Sequence, residues 1–142
     1  MLELIPAVVA LVFCLLAGIH FYWALGGRFF LSSAVPESGG KPAFVPSTLA
    51  TVMVALGLTL CAALVMASAG MIGPARPAQW TTWVAFALSA ALLARAVGDF
   101  RLVGFFKRVR GSRFARMDTL VYAPLCLLLA AGMFHTAWVH RV

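Results

Sequence analysis

The chain has 142 residues, of which 63% are apolar and only 11% are charged, and its formal net charge is +7. An ordinary soluble domain has about a quarter of its residues charged. The composition therefore excludes a disordered chain, argues against a water-soluble catalytic domain and indicates an integral membrane protein.

Four apolar stretches are each long enough to cross a bilayer as a helix, because a hydrocarbon core about 30 Å thick takes about 20 helical residues. In chain order they cover about 4–25, 46–70, 79–97 and 118–139. Glycine- and proline-rich breaks separate them. The pattern predicts one domain over 1–142, an all-α transmembrane four-helix up-down bundle. Small residues in and just after the third stretch (Ala87, Ala90, Ala91, Ala94 and Gly98) are expected to contact other helices.

The basic residues divide unequally between the two sides of such a bundle. An even number of spans puts both termini and the second connection on one side, which carries Arg76 and Arg141. The other side carries eight basic residues, namely Arg28, Lys41, Arg101, Lys107, Arg108, Arg110, Arg113 and Arg116. Basic loops stay in the cytoplasm. We therefore predict that the first and third loops are cytoplasmic and that both termini face the periplasm or the exterior.

Ionisable side chains within a span cost about 2.5–3.5 kcal/mol at its centre on insertion scales, so each one marks a candidate site. With this topology, His20, Arg95, Asp99, Asp118 and Tyr122 lie at a similar depth near the cytoplasmic ends of their helices. A bundle could join them in a polar pocket. There Arg95 would bind an anionic group or pair with Asp99, and His20 would exchange a proton near neutral pH.

A structural role is the alternative for each of these residues. Arg95 could extend to the headgroups or be neutralised by Asp99, Asp118 could cap the fourth helix, and His20 could bond a backbone carbonyl across the bundle. The ligand-binding candidates are His20, Trp23, Arg95, Asp99, Asp118 and Tyr122, and no catalytic residue is assigned.

Residues 101–116, called here the basic segment, combine six basic residues with three phenylalanines. Such a segment beside a membrane is expected to lie on anionic lipid, each charge contributing about 1 kcal/mol, rather than to bind nucleic acid. The headgroup candidates are Lys107, Arg108, Arg110, Arg113 and Arg116. The alternative is that these charges only set the orientation of the chain.

Motifs for common chemistries are missing from the sequence. It has no metal-ligand motif, P-loop, dinucleotide fingerprint or nucleophile elbow, and its three cysteines are widely separated. His20 and His135 fall near opposite membrane surfaces and cannot share one haem iron. We therefore predict no metal and no cofactor.

Three motifs carry a resemblance to a known family: His20-Phe-Tyr-Trp23-Ala-Leu-Gly-Gly27, Arg95-Ala-Val-Gly98-Asp99, and Asp118 followed by Tyr122-Ala-Pro124-Leu-Cys126. The chain resembles, over nearly its whole length, a group of small bacterial four-span membrane proteins catalogued as a domain of unknown function. The resemblance implies the four-span fold and a bacterial inner membrane, and it implies no activity.

Three functions remain open at this point. The favoured one is binding of a lipid or of a small hydrophobic or anionic ligand at the cytoplasmic-side polar cluster, or assistance to a membrane complex. The alternatives are a small membrane enzyme that uses His20, Arg95, Asp99 and Asp118, and an oligomeric transporter or channel subunit. The expected partners are membrane lipids, anionic ones especially, and another copy of the chain or a membrane complex.

Overall fold

A computed structural model describes residues 4–73 and 78–141, and most of these residues are helical. The elements in chain order are α1 (Leu4–Ala24), α2 (Leu31–Ala34), β1 (Glu37–Ser38), β2 (Lys41–Pro42), α3 (Thr48–Ser68), α4 (Gln79–Val97), α5 (Arg113–Met117), a π-helical turn (Asp118–Tyr122) and α6 (Ala123–Val139). The strands β1 and β2 form a small antiparallel hairpin. The segments from α5 to α6 form one continuous helix, Arg113–Val139.

Within the described residues, four helices are long and apolar enough to cross a membrane: α1, α3, α4 and the continuous helix Arg113–Val139. The prediction of an all-α four-helix transmembrane bundle is thereby confirmed, and the protein is a multi-pass membrane protein. Which end of the bundle faces the cytoplasm stays a prediction.

Serine residues are the N-caps of two of these helices. The Ser47 hydroxyl accepts a hydrogen bond from the Ala50 amide at 3.1 Å, and the Ser112 hydroxyl accepts one from the Ala115 amide at 3.0 Å. Both bonds satisfy amides that a helix leaves unpaired in its first turn. The last helix therefore begins at Arg113 rather than at the predicted Asp118, and the alternative role of Asp118 as its cap is wrong.

The bundle consists of two antiparallel helix pairs, α1 with α3 and α4 with α6. Phe13, Val65, Leu129 and Met133 are buried between the helices. The Ser89 hydroxyl of α4 donates to the Ala130 carbonyl of α6 at 2.7 Å. Many large apolar side chains point outward, as expected where lipid surrounds the helices.

The face of α4 that packs against the bundle differs from the predicted one. Its buried residues are Thr81, Thr82, Ala85, Ser89 and Ala96. The four alanines expected at helix contacts (Ala87, Ala90, Ala91 and Ala94) are exposed in this chain. Small size alone did not distinguish the two faces, because both carry residues that allow close approach.

Candidate functional site

Asp118 is the centre of a buried ion cluster. Its side chain is fully buried, and its Oδ1 accepts a hydrogen bond from Arg95 Nη2 at 2.9 Å. Its Oδ2 accepts from the Gly104 amide at 2.7 Å and from Lys107 Nζ at 3.1 Å. One carboxylate thus binds two cations and one amide, and we call Arg95, Lys107 and Asp118 the Asp118 cluster.

Lys107 is the member of this cluster that sequence reasoning assigned elsewhere. It was expected at lipid headgroups, but only 2% of its side chain is exposed. Besides Asp118, its ammonium group donates to the Gly104 carbonyl at 2.9 Å and to the Thr119 hydroxyl at 2.6 Å. An ammonium group has three hydrogens, and all three are used here. The one feature of the sequence that distinguishes this residue is that Lys107 is the single lysine among the arginines of the basic segment.

Arg95 pairs with Asp118 and not with Asp99, so the alternative in which Asp99 neutralises Arg95 is wrong. Its side chain is 35% exposed. Its Nη1 is buried and has no hydrogen-bond partner within the described residues. Arg95 therefore neutralises Asp118 from the α4 side, while Lys107 does so from the α4–α5 loop.

Asp99 shapes the α4–α5 loop (residues 98–112). Its Oδ1 accepts hydrogen bonds from the amides of Arg101, Leu102 and Val103 at 2.9, 2.7 and 3.0 Å. The Val103 amide first, and then those of Arg101 and Leu102, hold the pKa of this exposed carboxyl below its ordinary value. Asp99 makes no ion pair in the part of the chain that the structure describes.

Two glycines let this loop fold back onto the end of α4. Gly98 has φ +97°, and a Cβ there would collide with the Val103 carbonyl. Gly104 has φ +88° and lies directly against the Gly98 backbone. The Phe105 amide then donates to the Ala96 carbonyl at 2.9 Å. This fold brings the Gly104 amide and Lys107 to Asp118.

His20 and Trp23 belong to a different site. His20 Nδ1 lies 2.8 Å from the carbonyl oxygen of Leu16, one turn earlier in α1, and not from a carbonyl across the bundle. The His20 ring packs edge-on against Trp23 with centroids 4.9 Å apart. Trp23 Nε1 donates to the Phe29 carbonyl at 2.8 Å. Both side chains are thereby held in fixed orientations.

These two residues line a cavity of about 400 Å³, the His20 cavity, between α1, α2 and the start of α3. Apolar side chains form most of its wall, among them Leu31, Val35 and Phe44. No residue of the Asp118 cluster lines it. The sequence did not predict that α2 and residues 44–47 form part of this wall. The local sequence pattern does not show that this connection packs over the end of α1.

Tyr122 links the two regions. Its hydroxyl donates to the Ser33 carbonyl in α2 at 3.2 Å, and its ring packs against Phe114 with centroids 6.0 Å apart. Leu31 and Ala34 of the same short helix line the His20 cavity. The six predicted ligand-binding residues therefore do not form one pocket. Arg95 and Asp118 belong to the ion cluster, and His20 and Trp23 line the cavity. Tyr122 bonds to α2, and Asp99 shapes the α4–α5 loop.

A model of the family described as "Protein of unknown function (DUF3995)" matches residues 13–133. The match covers most of the chain and includes the Asp118 cluster, His20, Trp23 and Tyr122. The chain belongs to this family, which confirms the resemblance inferred from the sequence. No curated protein and no solved structure matches the chain.

Proposed function

We propose that this member of the DUF3995 family binds a lipid-soluble small molecule in the His20 cavity. The ligand would have an apolar body and a hydroxyl or N–H group that donates a hydrogen bond to His20. The observation that carries this proposal is a largely apolar cavity into which the chain presents one oriented imidazole.

The orientation of the imidazole defines the chemistry of the ligand. A backbone carbonyl only accepts hydrogen bonds, so Nδ1 must carry the hydrogen that it shares with Leu16. In a neutral imidazole the other nitrogen, Nε2, is then an acceptor. Nε2 has no hydrogen-bond partner within residues 4–73 and 78–141. A ligand with a donor group, such as a long-chain alcohol or a phenol, complements it.

The size and surroundings of the cavity support a membrane-soluble ligand. A volume of about 400 Å³ lies within the ordinary range of small-molecule sites, which are mostly apolar with a few oriented polar groups. Phe44, Val45 and Val54 on its wall are 56%, 89% and 47% exposed, so the cavity is open on one side. The cavity lies at the end of α1 and the start of α3, and therefore near one surface of the membrane. A ligand would enter it from the headgroup side of the leaflet at that surface.

The Asp118 cluster supports ligand binding less well. Its carboxylate is already neutralised by two cations, and every Lys107 ammonium hydrogen has a protein partner. An incoming anion would have to replace one of these bonds to reach Lys107, and would otherwise meet only the Arg95 guanidinium, whose buried Nη1 has no partner within the described residues. For the enzyme alternative, no carboxylate among the described residues hydrogen-bonds to His20 to support it as a base.

The orientation of the protein is a further part of the proposal. The end of the bundle with β1, β2 and the α4–α5 loop would face the cytoplasm, across a bacterial inner membrane, because the connections at this end carry most of the basic residues. The ligand would then be drawn from the cytoplasmic leaflet. Anionic lipids in that leaflet are the expected partners of the protein.

Fluorescence of Trp23 offers a direct test. A variant that keeps Trp23 and carries phenylalanine at the other three tryptophan positions would report on the His20 cavity alone. A brominated long-chain alcohol should quench it saturably, whereas the brominated alkane of equal length should quench only by partitioning. His20→Ala should weaken alcohol binding about tenfold, the upper range for one hydrogen bond.

The matched control is His140→Ala, at the end of α6, which should leave quenching unchanged. Circular dichroism and a monodisperse elution profile would show that each variant is folded. Equal quenching by alcohol and alkane, or an unchanged affinity in folded His20→Ala, would contradict the proposal.

A further inference from the structure

We propose that a second site, on the basic segment, binds the phosphate of an anionic phospholipid between Arg110 and Arg116. These two arginines border a cavity of about 330 Å³ whose wall also includes Phe105, Gly111 and Leu120. The cavity shares no residue with the His20 cavity. This inference therefore does not depend on the function proposed for His20.

The guanidinium groups at this cavity are available to a ligand. Arg110 Nε makes one long hydrogen bond, 3.4 Å, to the Lys107 carbonyl. Arg116 makes no side-chain hydrogen bond or ion pair within the described part of the chain, and both arginines are exposed. A guanidinium group has five donors in a planar fork that matches two phosphate oxygens. Two such groups at one cavity can bind a phosphate monoanion from both sides.

Among the residues that the structure describes, no acidic side chain lies on the wall of this cavity. Of the described carboxylates nearby in the chain, Asp118 is neutralised by Arg95 and Lys107, and Asp99 accepts three loop amides. The charged groups free to contact a ligand at the cavity are thus Arg110 and Arg116.

Lys107 also lies on the wall of the cavity but serves as a positioning residue. Its hydrogens are used by Asp118, Gly104 and Thr119, so it has none for a phosphate. Its burial anchors the middle of the α4–α5 loop, and its carbonyl accepts the hydrogen bond from Arg110. The buried lysine thereby holds the exposed arginine over the cavity.

The apolar surroundings favour a phospholipid over a soluble anion. Leu120 on the cavity wall is 74% exposed, and Phe106 and Phe100 of the same loop are 63% and 57% exposed. Leu120 belongs to the continuous membrane-spanning helix, so an acyl chain could lie along it while the phosphate stays at the arginines. A basic and aromatic surface of this kind is suited to the membrane interface.

Native mass spectrometry of the detergent-solubilised full chain would test this site, with phosphatidylglycerol and phosphatidylcholine as probes. The wild-type chain should retain one phosphatidylglycerol in preference to phosphatidylcholine. Arg110→Gln with Arg116→Gln should weaken that binding at least tenfold. The matched control, Arg108→Gln with Arg113→Gln, removes the same charge from exposed arginines that do not line the cavity, and it should change binding less than threefold.

Three results would overturn the proposal. Equal losses in the two double variants would indicate diffuse electrostatic attraction, and equal binding of the two lipids would remove the phosphate preference. Displacement by millimolar inorganic phosphate would indicate a site for soluble anions. His20→Ala should leave phosphatidylglycerol binding unchanged, so failure of this site and failure of the His20 site can be told apart.

Discussion

Replacing Asp118 by asparagine tests whether the buried ion cluster stabilises the fold. The substitution keeps the shape of the side chain but removes the charge that neutralises Lys107 and Arg95. The Lys107 ammonium group would then remain 2% exposed with no opposite charge beside it. Arg95 is 35% exposed and can still reach water or lipid headgroups. The expected loss therefore comes mainly from Lys107.

A buried ion pair that loses one partner typically costs 3–5 kcal/mol, because the remaining charge is left desolvated. We expect Asp118→Asn to lower the free energy of unfolding by about that amount. Lys107→Met should cost less, since Asp118 keeps Arg95 and the Gly104 amide. In the double variant both buried charges are gone. Its cost should fall short of the sum of the single costs by about 0.5–3 kcal/mol, the range measured for coupled neighbours.

Reversible unfolding by sodium dodecyl sulfate in mixed micelles, followed by circular dichroism, measures these free energies. Arg108→Gln is the matched control for loss of one positive charge from the same loop. Because Arg108 is exposed, its removal should change stability by less than about 0.5 kcal/mol. Additive costs of the two single substitutions, or a cost below about 1 kcal/mol for Asp118→Asn, would refute a coupled buried pair.

Three further predictions concern the loops and the orientation of the chain. Gly98→Ala should destabilise the protein by at least about 1–3 kcal/mol, because its backbone conformation suits only glycine and a Cβ would also collide with the Val103 carbonyl. Gly57→Ala, with open space around its Cβ, should stay within about 1 kcal/mol of wild type in the same unfolding assay. Asp99→Ala should speed hydrogen exchange at the three amides that Asp99 binds, and unchanged exchange would argue against this role. Since folding lowers the pKa of Asp99, its contribution to the stability of the loop is present above the unfolded pKa of about 3.9 and is lost as the pH falls through the folded pKa. Hydrogen exchange at these three amides, corrected for intrinsic rates, should therefore rise only in strong acid. In a cysteine-free background in a bacterial host, Ala78→Cys should react with an impermeant thiol reagent in intact cells and Ser38→Cys only after the inner membrane is opened, whereas the reverse pattern would invert the proposed topology.

Local properties of the chain were sufficient to predict the architecture. The length and the apolar content of a stretch decide whether it can cross a bilayer as a helix. Neither property depends on contacts with distant parts of the chain. The four spans were therefore found with bounds close to those of α1, α3 and α4. The start of the last helix was misplaced because apolar content marks where lipid begins, whereas the Ser112 cap marks where the helix begins.

Which polar residues meet depended on tertiary structure. The cost of burying charge singled out Arg95 and Asp118 in the sequence, but it carries no information about partners. Asp99 was the nearest acidic residue to Arg95 along the chain, but it lies beyond the end of α4 and its carboxylate accepts hydrogen bonds from loop amides. Lys107 reaches Asp118 only because two glycines turn the α4–α5 loop back onto α4.

The sequence by itself determined that this is a four-span membrane protein and which ionisable residues lie near one end of its helices. Only the tertiary structure separated His20 from Asp118, buried Lys107 and left Arg110 and Arg116 at an open cavity. The physical reason is that hydrophobic length and burial cost act on each segment alone, whereas ion pairs and cavities require segments far apart in the chain to meet.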